Sequence, residues 1–198
     1  MKTLSEIFRI ACHSVTGQAG IETQYGITGD DDFLYLSIQG SVQKEDWLFN
    51  FDFAVHPYKN SPEPWFVHRG FAKCWDAAKE QIAREVAATI QGRKLVITGY
   101  SHGAAIAVMA HEYFYWHGYE PETIGYGGPR VLWMPSKRIL ARFEKLTLVK
   151  RRGDLVTIVP FAWMGFRHAV KQILIGKPAL TWWRRHLIPE YTEALKEG

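Results

Sequence analysis

KLVITGYSHGAAIAVMAHEYFYW, residues 94–116, decides how the rest of the chain is read. Lys94–Thr98 is a short apolar run of the kind a strand shows when helices cover both sheet faces. Gly103–Trp116 is too long and too apolar for a strand and reads as a buried helix, closed by Gly118. Between them lies Gly99-Tyr100-Ser101-His102-Gly103, a Gly-x-Ser-x-Gly pattern. By itself the pattern is weak. Placed between a strand and a helix it describes a sharp turn with a serine hydroxyl at its tip. Flanking glycines suit the tight backbone, and the helix N-terminus aims amide groups at developing negative charge. The alternative is a glycine-rich turn whose serine merely caps the helix.

Working outward, Phe33–Ile38 reads as the first strand. Phe71, Cys74, Trp75, Ala78, Ile82, Val86 and Ile90 recur at helical spacing and end at Gly92. Thr123–Gly127 and Leu146–Lys150 are further strands, with a helical stretch at Arg138–Phe143 between them. Strands alternating with helices predict an α/β chain with a mainly parallel sheet, whose crevice lies at the carboxyl ends of the strands. No repeat or linker interrupts residues 1–198, so one domain is expected.

Composition narrows the function. The 198 residues are 47% hydrophobic and 22% charged, with a net charge of +4. No basic run exceeds three residues, so nucleic acid is not expected as a partner. Neither cysteine, Cys12 or Cys74, has metal-ligand or disulfide spacing, and no histidine pair has zinc-site spacing, so neither metal nor cofactor is expected. No stretch is apolar enough to cross a bilayer. The start, MKTLSEIFRIACHS, has Glu6 and Arg9 within any apolar core and reads as a helix with Leu4, Ile7, Phe8 and Ala11 on one face. A cytoplasmic monomer is the resulting expectation.

A serine hydroxyl becomes a nucleophile when a base takes its proton and a carboxylate orients that base. In chain order Asp154 comes after the strand Leu146–Lys150 at the edge where the site must lie. Two histidines come later, His168 and His186, and the residues alone leave both open as the base. The backbone N–H of His102 is next in the chain after the serine and is the expected first oxyanion donor.

Several ordered segments resemble the class 3 lipases, of fungal and plant type, within the α/β-hydrolases. They are LVITGYSHGAA, LSIQGSVQKEDWLFNFDF, VHRGF, GYGGPRV and GDLVTIVP. Departures are Gln39 for the usual Arg, Tyr100-Ser101-His102 for the usual His-Ser-Leu, and Leu132-Trp133 after Pro-Arg-Val. The resemblance implies an α/β-hydrolase fold, a Ser101–Asp154–His186 triad, Ser41 as second oxyanion donor, and hydrolysis of a lipid or short-to-medium acyl ester. His186 is favoured because RRHLIPEY resembles the family's terminal catalytic segment, whereas His168 resembles a histidine near the site. His68 in VHRGF is expected to be structural. Lys44–Phe53 falls where relatives carry a lid and reads equally well as a fixed buried segment. Trp182-Trp183-Arg184-Arg185 suits a lipid interface or core packing. The alternatives are a thioesterase or peptidase on the same elbow, or an inactive hydrolase-like binding module.

Overall fold

The computed structural model describes residues 1–21, 23–39, 53–63, 65–177 and 186–196. Among them, seven strands form one sheet in the order β1 (Gly17–Ala19), β2 (Thr23–Gly29), β3 (Phe33–Gln39), β6 (Lys94–Tyr100), β7 (Glu122–Tyr126), β9 (Leu146–Arg151) and β11 (Gln172–Ile175). From β3 to β11 every neighbouring pair is parallel. β1 and β2 add an antiparallel edge that the sequence reading did not anticipate.

Side chains alternate across this sheet, as a pleated strand requires. Leu34, Leu36 and Ile38 of β3 and Leu95 and Ile97 of β6 enter one core. That core is completed by α2 (Arg69–Thr89) and α3 (His102–Trp116). Tyr35 and Val96 point the other way, into a second core with Ile7, Phe8 and Ala11 of α1 (Leu4–His13) and Tyr191 of α5 (Ile188–Ala194). α1 begins with a capping box in which Thr3 and Glu6 satisfy each other's amides. α3 is buried from His102 to Phe114. It runs between the sheet and α2, and its Met109 carbonyl accepts the Tyr58 hydroxyl at 2.7 Å. This explains why its sequence is apolar on every side.

The predicted elements are present. The stretch expected to be helical at Arg138–Phe143 is α4 (Lys137–Leu140) and then a single 3-10 turn, Ala141–Phe143. A second, antiparallel sheet was not foreseen. It orders β10 (Phe166–Arg167), β8 (Leu132–Trp133), β5 (Trp65–His68) and β4 (Val55–Tyr58).

Candidate active site

β6 ends at Tyr100 and α3 starts at His102, so Ser101 makes the whole turn by itself. It does so at φ 58° and ψ −123°, a left-handed conformation that costs a non-glycine residue about 1–3 kcal/mol. The Ser101 amide donates to the Tyr126 carbonyl at 2.8 Å, and the Ser101 carbonyl accepts from the Ala104 amide at 3.0 Å. The glycines are required by space. A Cβ on Gly99 would lie 2.4 Å from the Gly103 carbonyl oxygen, and one on Gly103 only 1.9 Å from that of Ile38. The strand-to-helix turn inferred from sequence is therefore a strained elbow and not a capped helix end, and Ser101 makes no side-chain cap bond.

Asp154 lies where β9 turns out of the sheet. Its side chain is 0% exposed, yet its oxygens are partnered. Oδ1 accepts the Val156 amide at 2.9 Å. Oδ2 accepts the Tyr191 hydroxyl at 2.5 Å and lies 2.9 Å from Nδ1 of His186. A carboxylate can only accept, so Nδ1 is the donor, and Nε2 is left as an acceptor. Nε2 lies 2.7 Å from the Ser101 hydroxyl oxygen. Residues 101, 154 and 186 thus form one chain of hydrogen bonds across three separate segments.

His186 is held in place by α5, the helix that begins two residues later. α5 packs on β9 through Tyr191, whose hydroxyl accepts the Arg151 amide at 3.1 Å, and through Arg151, which pairs with Glu190 at 2.7 Å. Beneath the imidazole lies Tyr100, with ring centroids 5.1 Å apart and planes 17° from parallel. Gly127 leaves room above, since a Cβ there would lie 3.2 Å from Cε1 of His186. Tyr191 and Tyr100 were missed as site residues. The only signal for Tyr191 was its place in RRHLIPEY, and Tyr100 read simply as a departure in the elbow.

His168 is elsewhere. Its Nε2 lies 2.8 Å from the Thr157 carbonyl, and burial pulls its pKa down to about 4. Of the two late histidines, the structure brings His186 to the serine. His102 has its ring against Phe71 at 5.2 Å, and burial likewise lowers its pKa to about 4. Its ring is a neutral core group, while its backbone opens the first turn of α3. His68 is buried, with its ring 4.3 Å from Phe71. Ser41, residues 44–52 of the candidate lid segment and Trp182–Arg185 lie outside the described residues. Among the described residues, no three His, Cys, Asp or Glu side chains are grouped to hold a metal ion.

Known proteins share this architecture. The secreted mono- and diacylglycerol lipase 1 of Fusarium solani is 31% identical over 101 residues, which is 50% of this chain and 30% of that protein. A crystal structure of a fungal lipase superposes with a TM-score of 0.72 at 25% identity, covering 83% of this chain and 63% of that one. The Rhizomucor miehei triacylglyceride lipase gives a TM-score of 0.72 at 20% identity, covering 82% of this chain and 66% of that one. The chain therefore spans under a third of the Fusarium relative and just under two thirds of the two structures. The fold they share is the α/β-hydrolase type. The cytoplasmic location expected from the first residues is overturned by the Fusarium relative, which is a secreted protein. The lack of an apolar leader in MKTLSEIFRIACHS describes that stretch alone. The family model for Lipase (class 3) matches residues 35–164, from the third strand through the elbow to the loop beyond Asp154. On that match, which takes in well over half of its length, the chain belongs to the class 3 lipases.

Proposed function

We propose that this protein hydrolyses carboxylic esters of lipids through an acyl-enzyme formed on Ser101. The observation that carries the reading is the His186 imidazole, bonded through Nε2 to Ser101 and through Nδ1 to a buried carboxylate. As the Ser101 oxygen attacks the ester carbonyl carbon, its proton passes to Nε2. Asp154 holds the ring in the required tautomer and stabilises the imidazolium. The carbonyl oxygen becomes an oxyanion beside the His102 amide and the positive end of α3, with Ser41 as the second donor. Collapse expels the alcohol, which takes the proton from Nε2. Water then attacks the acyl carbon with His186 again as base, releasing the acid and restoring Ser101.

The Fusarium relative is named for mono- and diacylglycerols, which makes partial glycerides the first lipid substrates to try. A nitrophenyl ester of short acyl length tests the chemistry apart from any lipid surface. Turnover is expected, with Ser101→Ala lowering kcat by several orders of magnitude. A fluorophosphonate should label Ser101 in the unaltered protein. Full activity in Ser101→Ala, or no labelling of a folded protein, would refute the mechanism. Unlabelled protein that still binds the ester would identify a binding module instead.

A further inference from the structure

The connection that leaves Asp154 does more than position a carboxylate. It runs out to Phe161 and Trp163, whose rings stack at 6.0 Å with planes 10° apart, and Trp163 is 82% exposed. Beside them Met134 is 68% exposed and held at φ 41°, a conformation unfavourable for its side chain type. Two hydrogen bonds join these pieces, Met134 amide to Gly165 carbonyl and Trp133 Nε1 to Met164 carbonyl, both 3.0 Å. Phe66 extends the patch from β5, edge-on to Trp133 at 5.8 Å. Two aromatics and a methionine facing water on a braced scaffold describe a surface built for a partner.

Charge says which partner. Residues 123–189 contain 13 of the chain's 24 Lys and Arg but only 2 of its 20 Asp and Glu, and of the 13, Arg138, Arg142, Lys145 and Arg151 pair with acids elsewhere among the described residues. At the patch itself, Arg167 donates to the carbonyl oxygens of Ala162 and Phe166 while its side chain stays exposed. Arg130 reaches the Pro160 carbonyl at 2.9 Å, near enough to Arg167 for repulsion to add to burial in lowering its pKa. Neither arginine pairs with a carboxylate among the described residues. Exposed aromatics beside two guanidiniums that no described carboxylate pairs match an anionic lipid surface.

We propose that Phe161, Trp163 and Met134, with Arg130 and Arg167, form a docking surface for lipid aggregates bearing anionic head groups. This rests on the ester-hydrolase reading for its purpose, but not for its test. The purified chain is mixed with phosphatidylcholine vesicles and with vesicles containing phosphatidylglycerol, and the bound fraction is read by sedimentation at low and high salt. Binding to the anionic vesicles alone, falling with salt, is expected. Arg167→Gln should weaken it about fivefold, and Trp163→Ser about tenfold or more. Both variants should hydrolyse a dissolved nitrophenyl ester at the unaltered rate. Equal binding to neutral vesicles, or undiminished binding by Trp163→Ser, overturns the proposal. So does a dimer that Trp163→Ser splits while no vesicle binds, since the patch would then face a second copy. Vesicle binding as expected with no ester turnover in any protein would refute the enzymatic reading alone.

Discussion

Replacing Tyr191 by Phe isolates one atom. The ring stays, so its contacts with Phe8 at 5.7 Å and Tyr100 at 5.6 Å are kept. The loss is a hydroxyl that donates to Asp154 at 2.5 Å and accepts the Arg151 amide at 3.1 Å. A hydrogen bond to an ionised group contributes about 1.5–3 kcal/mol, and an orphaned buried amide costs about 1–3 kcal/mol. The two share one atom and relax together, so a net loss of about 3 kcal/mol is expected. For a chain of this length each kcal/mol moves Tm by roughly 2–4 °C, which gives a fall of about 6–12 °C. Activity should suffer less. The Val156 amide and His186 still hold the carboxylate. A kcat loss within about tenfold is therefore expected, against about 10⁴-fold when a triad carboxylate is replaced by an amide. Calorimetry and the nitrophenyl ester assay on the same preparation provide both numbers. A Tm within about 1 °C of the parent would show that the hydroxyl is not bonded as described, and the account of how Asp154 is held would fail.

Other parts of the molecule yield four further expected outcomes. His102, His111 and His168 are each held neutral by burial with pKa values near 4, below the unfolded value near 6.5. Their stability contribution is whole above about pH 6.5 and is lost as pH falls towards 4, at about 1.4 kcal/mol per pH unit for each. Unfolding free energies from urea should hold level from pH 8 to about 6.5 and fall with that slope below it, the slope reduced by about a third in His168→Asn. Gly103→Ala should abolish fluorophosphonate labelling, because its Cβ falls 1.9 Å from a backbone oxygen. Gly92→Ala, with nothing within 4 Å, should lose only about 1 kcal/mol from its positive φ. Arg142→Met strands Glu112, which is fully buried and bonded to it at 2.6 Å, and should cost about 3–5 kcal/mol in urea. Adding Glu112→Gln should recover much of that loss.

The elbow was legible because all its determinants are local. The strand, the glycines, the serine and the helix lie within residues 94–116, and their periodicities need no partner to be read. The parallel order of β3, β6, β7 and β9 was legible for the same reason, one apolar run at a time. The second sheet was not, since β8 and β10 are two residues each and β4 contains Pro57. Such strands exist only through pairing with segments far along the chain, which propensity does not encode. The choice between His168 and His186 was closed to the residues themselves. Both come after Asp154, and the difference between them is that one imidazole is buried against the Thr157 carbonyl while the other stands over Tyr100. Family likeness favoured His186 without giving that reason.

Tyr100 shows why the base needs more than its two in-plane bonds. The contacts to Ser101 and Asp154 fix the imidazole within its plane, but leave it free to rock about the line joining its two nitrogens. A ring stacked 17° from parallel at 5.1 Å resists that rocking. Tyr100 shares a face of β6 with Val96 and so turns towards α1, while Ser101, next in the chain, makes the turn. Nucleophile and platform are thus neighbours in the chain, and the spacing between serine and imidazole is set by one peptide unit. Tyr100 is braced in turn by Phe8 of α1 at 5.5 Å and by Tyr191 of α5. The N-terminal helix and the helix after the base therefore meet under the same ring. Loosening either one reaches the proton-transfer geometry through Tyr100.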